Sequence, residues 1–422
     1  MPDQPQRHTL TLSRADQSSF PVIPVDVAPG TARIAVAYAV HAHGPAECVV
    51  DIGLRDGEGF RGWSGSARRS FFVATHQATP GYLPGALVPG RWEVVLGAYK
   101  VPHEGCTVEV TVTLERAQAQ WLVGDLHAHS VHSDGRLTLE QLCAMAIGQG
   151  LDFLALTDHN TVSQAMQAPR GLPLLLLGGL ELTTYRGHAN LYGRFGRPFD
   201  FRSSDDAGMR RLFDDARAQG ALISLNHPFD AGCGWQYSFD LPCDAIEIWN
   251  GPWRRHNAAA LRYWHEQLVA GRRLIALGGT DVHRLPAAAM HPPVANRIFA
   301  AERSVPALLA GLRSGHVVVT KGVTAPCVRF ELGGCIVGET ATATGDVAPL
   351  LLHVDTAEPC RVRLITDRGV ESEHQVAQEA WTLDRYVPTD RRFYRVEVWS
   401  HEGVHDQPLA LTNPIFLTTD RP

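Results

Sequence analysis

The sequence predicts an α/β protein with a barrel in its middle segment and a β-rich segment on either side. Between about residues 119 and 322, apolar runs alternate with helix-like patterns, which is typical of parallel strands covered by helices. Polar residues directly follow five of these runs, as they do where barrel strands present side chains at one rim. In the flanking segments apolar residues recur at every second position, a pattern that favours antiparallel strands.

These patterns divide the 422-residue chain into segments 1–118, 119–322 and 323–422. The first contains runs such as ARIAVAYAVHA and CTVEVTVTLERA, and the last contains CRVRLITDRG and FYRVEVWS. We expect each flank to form an antiparallel, sandwich-like β domain. In the middle segment, helical patterns at 137–150, 205–220, 257–271 and 304–315 each end in a glycine, which predicts a glycine cap at the carboxyl end of each helix.

The composition is that of an ordinary globular protein, with 45% hydrophobic and 19% charged residues. A net charge of -6 argues against a general nucleic-acid binder, so we expect no nucleic-acid partner. The amino terminus lacks the apolar core of a signal peptide, and no long apolar segment follows, which predicts a cytoplasmic protein without a membrane partner. Eight cysteines without a C-x-x-C pair are interpreted as buried or inert thiols. The oligomeric state is not indicated.

Nine candidate metal ligands follow the five apolar runs. The pairs His127/His129 and Asp281/His283 each have a spacing of two, so both side chains of a pair leave the same face of a strand. Glu181 ends the run LLLLGGLEL, where burial of an unpaired carboxylate is costly and a cation removes the cost. The full set is His127, His129, Asp134, His159, Glu181, His188, His227, Asp281 and His283.

Three further residues are candidates for catalytic roles. Asp158 precedes His159 and is expected to orient a ligand imidazole. His132, in HSVHSDG, is either a proton donor to the leaving oxygen or a loop residue that faces water. Arg284 is either a clamp for a phosphate or a solvated surface charge.

The chain also contains a second H-x-H pair, His41 and His43 in AVHAHGPAEC. No cluster of carboxylates or histidines follows it in a strand-and-helix rhythm. We interpret these two as ordinary residues of the first β segment.

The order H-x-H, S-D-G, T-D-H, G-x-E, G-H, N-H-P and G-x-D-x-H, over about residues 121–320, resembles the polymerase and histidinol phosphatase (PHP) family of metal-dependent phosphoesterases. The motifs NHP and GGTDVH and the carboxy-terminal segment ALTNPIFLTT resemble those of its carbaryl-hydrolase-like branch (CehA/McbA type). The resemblance implies a distorted (βα)7 barrel with two or three divalent ions at the carboxyl ends of its strands.

The resemblance also implies how the ligands are shared among the ions. By position, one ion is held by His127, His129, Glu181 and Asp281. A second is held by Glu181, His188 and His227, and a third by Asp134, His159 and His283.

Nitrogen and oxygen ligands without a thiolate suit zinc, manganese or ferrous iron. We therefore predict a phosphoesterase that hydrolyses a small, anionic phosphomonoester or phosphodiester by attack of a hydroxide that bridges the ions. Two alternatives stay open, a carbamate or carboxylic ester hydrolase with the same centre and a binding module with a structural metal site. The amidohydrolase class also begins with H-x-H on a barrel strand, but the S-D-G and T-D-H motifs fit the PHP family better than that class.

Overall fold

The computed structural model describes residues 4–75, 77–285, 294–401 and 406–419. It divides into two compact units, Met1–Ala119 with Ala301–Ser304, and Gln120–Ala300 with Val305–Pro422. In the described parts of the chain, no helix combines the length and apolar character that are needed to cross a bilayer.

The described residues of the first unit form eight strands in two antiparallel sheets, which have the orders β1-β8-β3-β6 and β2-β7-β4-β5. Alternate residues of both sheets, such as Val36, Val110, Ile52 and Val94, are buried in one shared apolar core. The alternation predicted for this segment is therefore present. The strands are β1 (Gln6–Leu12), β2 (Val22–Val27), β3 (Thr31–Ala42), β4 (Val49–Arg55), β5 (Phe60–Gly65), β6 (Ser70–Ala74), β7 (Gly90–Lys100) and β8 (Cys106–Arg116).

The second unit begins with the strands and helices that carry the candidate ligands. Its first strands are β9 (Gln120–Asp125), β10 (Phe153–Leu156), β11 (Leu175–Thr184), β12 (Gly187–Tyr192), β13 (Leu222–Leu225), β14 (Ala245–Asn250), β15 (Ile275–Gly279), β16 (Ala295–Ala300) and β17 (Val317–Thr320). Its helices are α1 (Leu139–Gly148), α2 (Ser163–Met166), α3 (Asp206–Ala218), α4 (Arg255–Val269) and α5 (Val305–Arg313).

Four of these helices lie where the sequence predicted them, and each is followed by a glycine with positive φ. Because glycine has no Cβ, it adopts this left-handed conformation at little cost and ends the helix as expected. The four are Gly150, Gly220, Gly271 and Gly315, with φ between 71° and 91°. The short helix α2 has no counterpart in the prediction.

The strands of this segment form one sheet in the order β15-β14-β13-β12-β11-β10-β9-β16-β17. Strands β9, β10 and β11 are parallel to one another, as are β13, β14 and β15. Strand β12 is antiparallel to both of its neighbours, and β16 is antiparallel to β9. The sheet is thus mixed, whereas the sequence predicted a largely parallel one, because the short β11–β12 hairpin leaves no room for a crossover helix.

The reversal of β12 has a consequence for the site. His188 stands at the start of β12 and pairs with Thr183 near the end of β11. A reversed strand presents its first residues at the edge where parallel strands present their last. His188 therefore lies at the same edge as Glu181.

Two asparagine side chains cover the outer edge of β15. Asn296 accepts from the backbone N–H of Gly278 (2.9 Å) and donates to its carbonyl oxygen (2.7 Å). Asn413 makes the same two bonds with Ala276, at 2.8 and 2.9 Å. These amides satisfy backbone groups that would otherwise be buried without partners.

The remaining strands extend the same unit. They are β18 (Cys327–Leu332), β19 (Cys335–Ile336), β20 (Thr340–Ala343), β21 (Val347–Asp355), β22 (Cys360–Thr366), β23 (Gly369–Val376), β24 (Ala380–Pro388), β25 (Phe393–Ser400), β26 (Pro408–Thr412) and β27 (Ile415–Thr419). Strand β26 pairs with β17, so the sheet that carries the site continues into β25, β22 and β23. A separate antiparallel sheet has the order β19-β18-β21-β24.

Candidate metal centre

Glu181 is the centre of the cluster. It lies near the end of β11 and its side chain is fully buried. Five imidazoles approach its two carboxylate oxygens to between 2.8 and 3.4 Å. To Oε1 the distances are 3.3 Å from His127 Nε2, 3.2 Å from His188 Nδ1 and 3.4 Å from His227 Nε2, and to Oε2 they are 3.4 Å from His129 Nε2 and 2.8 Å from His159 Nδ1.

The alternation of β11 places this carboxylate. Leu180 and Leu182 are buried in the apolar core on one face of the strand, so Glu181 leaves the other face. The Asn226 amide donates to Glu181 Oε1 at 2.8 Å. Burial on its own raises the pKa of Glu181, but the surrounding imidazoles, His127 foremost, outweigh it and hold the pKa well below its usual range. The carboxylate is thus ready to bind cations.

A second carboxylate, Asp281, lies against the first H-x-H pair of this unit. Its Oδ1 is 3.4 Å from His127 Nε2 and 3.0 Å from His129 Nε2. The backbone fixes this approach, because Asp281 N–H donates to the His127 carbonyl (2.8 Å) and His129 N–H donates to the Val282 carbonyl (3.0 Å). The segments that follow β9 and β15 are thereby joined at the edge that carries the ligands.

A third group of donors lies towards solvent. Asp134 Oδ1 is 3.4 Å from His159 Nε2 and 3.2 Å from His283 Nε2. The side chain of Asp134 is 62% exposed, whereas that of Glu181 is fully buried. One ligand atom from each of His129, Asp134, His159 and His283 lies within 4.8 Å of the others. The cluster therefore runs from a buried end to an open one.

All nine predicted ligands are brought together. Two of the implied groupings recur, His127 with His129 and Asp281, and Asp134 with His159 and His283, but Glu181 is shared more widely than the resemblance implies. One potential ion position combines His127, Glu181 and His227, and another combines His159, Glu181 and His188. The family resemblance grouped His127 with the first ion and His159 with the third. The difference arises because Glu181 reaches histidines of both groups.

Several buried atoms of the cluster have no hydrogen-bond partner among the described residues. They are His127 Nε2, both ring nitrogens of His129, Glu181 Oε2 and His188 Nδ1. A buried polar atom without a partner is costly, and such atoms are rare in folded proteins. Divalent metal ions bound by these nitrogen and oxygen donors would remove the cost, so the residues present fit the expected ions.

Backbone strain is concentrated at the same place. In the described chain, four residues other than glycine have positive φ, and three of them lie at the site. These are Asn160 (51°), His227 (27°) and Asp281 (55°). Such conformations persist where surrounding contacts impose them, which is common at functional sites.

Glu247, in β14, contacts two candidate ligands and was not revealed by the sequence pattern. Its Oε1 lies 3.0 Å from His127 Nδ1, and its Oε2 accepts the backbone N–H of His227 at 2.9 Å. The other ring nitrogen of a metal-binding histidine commonly donates to a carboxylate in this way. Burial lowers the pKa of His127, but the carboxylates of Asp281, Glu181 and Glu247 outweigh it and raise the pKa well above its usual value. The run AIEIWN contains this signal only as one glutamate inside an apolar strand.

Asp125, the last residue of β9, is a second buried carboxylate that the sequence pattern did not reveal. Its Oδ1 accepts the backbone N–H groups of His127 (3.1 Å) and Thr280 (3.0 Å). Burial raises its pKa to about 6, against the hydrogen bonds from Thr280 and His127. Asp125 therefore holds the backbone at the start of both ligand pairs.

The three candidate catalytic residues lie around the cluster rather than in it. Asp158 is fully buried, and its hydrogen bonds are to Ser130 N–H (2.8 Å) and to the hydroxyls of Ser130 and Ser133, not to the imidazole that was expected. His132 is partly buried, and its Nδ1 lies 2.7 Å from Ser163 Oγ. Arg284 is exposed, next to His283.

Comparison with known proteins gives one family match. Residues 125–226 match the model of the PHP domain. A phosphoribosyl 1,2-cyclic phosphate 1,2-diphosphodiesterase of Eggerthella lenta is 36% identical over 67 residues, which cover 15% of this chain and 26% of that protein. The 5'-3' exoribonuclease Rnm of Escherichia coli is 38% identical over 68 residues, which cover 15% of this chain and 23% of that protein. The chain thus spans about a quarter of the length of these relatives.

A similar solved structure is a two-domain protein from Bacteroides vulgatus that contains a predicted PHP-like metal-dependent phosphoesterase. It is 18% identical, with a TM-score of 0.40, over 70% of this chain and 96% of that one. The matched residues 125–226 include six of the nine candidate ligands, from His127 to His188. The segment that matches the PHP domain model therefore carries most of the candidate metal centre.

Proposed function

We propose that the protein is a metal-dependent phosphoesterase that hydrolyses a small phosphomonoester or phosphodiester. The observation that carries the proposal is the environment of Glu181, a fully buried carboxylate within 3.4 Å of five imidazoles. Several nitrogens of these imidazoles lack a hydrogen-bond partner among the described residues. Bound cations would satisfy these donors. The PHP domain match, which covers Glu181 and four of these five histidines, supports the proposal.

For the fold, the proposal includes the distorted (βα)7 barrel that the resemblance implies, with sandwich-like β domains beside it. The asparagine bridges on the edge of β15 and the backbone bonds between the segments after β9 and β15 support closure. The carbaryl-hydrolase-like branch of the family stays a prediction.

Two or three divalent ions of zinc, manganese or iron would be held by the nine ligands. When bound, such ions lower the pKa of a coordinated water and neutralise charge on a phosphate oxygen. By the family resemblance, His127, His129, Glu181 and Asp281 hold one ion, and the other ligands hold the rest. Glu247 and Asp125 keep the first of these ligands in place.

The charge of the loaded cluster favours an anionic substrate. With its three ligand carboxylates, the cluster would carry a charge of about +1 with two dications and about +3 with three. Coulomb attraction is stronger there than in water, because the surrounding protein has a low dielectric constant. A phosphate ester is therefore bound better than a neutral ester. Asp134 and His283 mark the solvent-facing end at which it would enter.

The candidate catalytic residues keep proposed roles that their positions allow. Asp158 positions the loop after β9 through Ser130 and Ser133. Ser163 contacts Nδ1 of His132, so proton donation to a leaving oxygen would fall to Nε2. Arg284, exposed beside His283, would bind a non-reacting phosphate oxygen.

A substrate panel tests the proposal. The metal-loaded protein would be assayed with p-nitrophenyl phosphate, bis-p-nitrophenyl phosphate, 1-naphthyl esters and a short RNA, each with added Mn²⁺ or Zn²⁺. We expect turnover of a small phosphate ester. Turnover of naphthyl esters alone would replace the phosphoesterase with the carbamate or carboxylic ester hydrolase.

The same panel distinguishes nucleic-acid hydrolysis from metal binding without catalysis. The RNA substrate tests the prediction that nucleic acid is not a partner, since similar proteins are exoribonucleases. A metal-loaded protein that is inert with every compound, and whose ions resist chelation, would indicate the binding module with a structural metal site.

A further inference from the structure

Cys233 lies beside the cluster, in the loop that follows β13. One ligand atom from each of His188, His227 and Cys233 lies within 4.8 Å of the other two. Cys233 Sγ is 3.5 Å from His227 Nδ1, whereas His227 Nε2 faces Glu181 Oε1 at 3.4 Å. The His227 ring thus presents one nitrogen to the carboxylate and the other to the thiol.

The loop is built to present this sulfur. Asp230 Oδ1 accepts the backbone N–H groups of Gly232 (2.7 Å) and Cys233 (3.2 Å). The Asp230 carbonyl accepts Gly234 N–H at 3.1 Å, and a Cβ on Gly234 would lie only 2.4 Å from that oxygen. The turn therefore requires glycine at 234, and it holds the thiol 3.5 Å from both His227 Nδ1 and Asp230 Oδ1.

We propose that Cys233, His188 and the Nδ1 side of His227 form a sulfur-containing metal position at the edge of the cluster, suited to a thiophilic divalent ion such as Zn²⁺. The inference rests on the proposed metal centre and adds a ligand that the pattern of histidines and carboxylates does not contain. It departs from the expectation that every cysteine of the chain is a buried or inert thiol.

Two further observations support a ligand role for these atoms. His188 Nδ1 is buried and lies 3.2 Å from Glu181 Oε1, but it forms no hydrogen bond with a described residue. Among the described residues, Cys233 is also the one cysteine that joins a group of potential metal ligands. Cys106, Cys143 and Cys360, by contrast, are buried in apolar cores.

The donor atoms of the Cys233 position differ from those of the solvent-facing group around Asp134. Thiolate and imidazole ligands together favour zinc over manganese, whereas carboxylate and imidazole ligands accept either ion. The group of His129, Asp134, His159 and His283 contains no sulfur. We therefore expect the two ends of the cluster to differ in metal preference.

Cobalt substitution tests the proposal with a readout other than activity. The full chain would be stripped of metal, titrated with Co²⁺ and followed in the near ultraviolet, where a thiolate bound to Co²⁺ gives a strong charge-transfer band. We expect the band in the unaltered protein and its loss in Cys233→Ser and Cys233→Ala. Cys335→Ser, which changes a partly buried thiol of the β18–β19 hairpin, should keep it.

A competition experiment gives the selectivity. Cys233→Ser should weaken binding of one Zn²⁺ equivalent by at least the roughly 10- to 100-fold that loss of a ligand's supporting partner costs, and should leave Mn²⁺ binding unchanged. Circular dichroism of each variant would establish that it is folded.

The possible failures are distinguishable. An unaltered protein that binds Co²⁺ and hydrolyses phosphate esters without a charge-transfer band overturns the inference and leaves the proposed function in place. A band that persists in both Cys233 variants also overturns it. A protein that binds no divalent ion would sink the proposed function together with the inference.

Discussion

The end of β3 in the first unit and the segment after β9 in the second carry the same H-x-H pattern with opposite environments. His41 and His43 are exposed. His41 Nε2 is 3.8 Å from Glu109 Oε2, with both side chains about 60% exposed, and His43 Nε2 lies 2.8 Å from Thr107 Oγ1. His127 and His129 are fully buried.

The neighbouring carboxylates make the difference. Glu181 and Asp281 contact both buried histidines, and Glu247 holds the second ring nitrogen of His127. The exposed pair has one solvent-screened carboxylate, and such a surface pair contributes little free energy. Spacing within a strand sets the direction of two imidazoles, but convergence of other strands makes them a candidate site.

Metal removal should have the largest effect on activity, because it acts on the buried cluster and not on the exposed H-x-H pair. Exhaustive chelation should reduce hydrolysis to background, and restored Mn²⁺ or Zn²⁺ should recover it. Ions that bind only the folded state stabilise it, by about 2.7 kcal/mol at a free concentration of 100 times Kd. Differential scanning calorimetry should therefore show a lower unfolding temperature after chelation. Full turnover in the chelated protein would contradict the assignment of the buried cluster.

Glu181→Gln should have the next largest effect. The substitution keeps the shape of the side chain but removes the charge that five imidazoles approach. We expect loss of bound metal, measured by elemental analysis, and a fall in kcat/KM beyond the roughly 10- to 100-fold typical of residues that support a ligand. Glu109→Gln, beside the exposed pair, is the matched control and should retain both. Normal metal content in the Glu181 variant would refute a central role for this residue.

Glu247→Gln should have a smaller effect, because this carboxylate orients His127 and His227 and is not among the proposed ligands. We expect metal affinity to fall by about 10- to 100-fold, with activity restored by excess metal. Competition with a metal-sensitive dye would measure the affinity, and Glu331→Gln on the exposed face of β18 serves as the control. An unchanged affinity would show that the bond from His127 Nδ1 does not matter for binding.

The double change of His41 and His43 to alanine should have the smallest effect. Both side chains are exposed, and surface substitutions of this kind usually change the free energy of unfolding by less than about 0.5 kcal/mol. Metal content and kcat/KM should equal those of the unaltered protein. A drop in metal content would mean that the two H-x-H pairs are not as different as their environments indicate.

Sequence patterns identified the nine candidate ligands and missed the residues that contact them. Histidines and carboxylates at the ends of apolar runs are conspicuous in a sequence, and the structure brings all nine candidates into one cluster. Glu247 and Cys233 belong to segments with no such pattern. Their proposed roles depend on contacts with His127 and His227, and a local sequence pattern does not contain those distances.

The reversed strand shows the same limit for the fold. The run that contains His188 is typical of a short strand after a turn, but its direction within the sheet depends on pairing with both β11 and β13. Asn413, in the tail of the chain, bonds to the backbone of Ala276 on β15, 137 residues away. Such bonds form only between segments that the fold has already brought together.

The amino-acid sequence by itself determined the periodicity of the strands, the glycine-capped helices and the donor atoms offered at the strand ends, because these follow from local backbone geometry and side-chain chemistry. Tertiary structure alone decided which donors share Glu181, which histidine ring Glu247 orients, where Cys233 stands and which H-x-H pair is buried. The physical reason is that charged groups in a low-dielectric interior are stable only when side chains from several strands pair with them. Those contacts exist only in the folded chain.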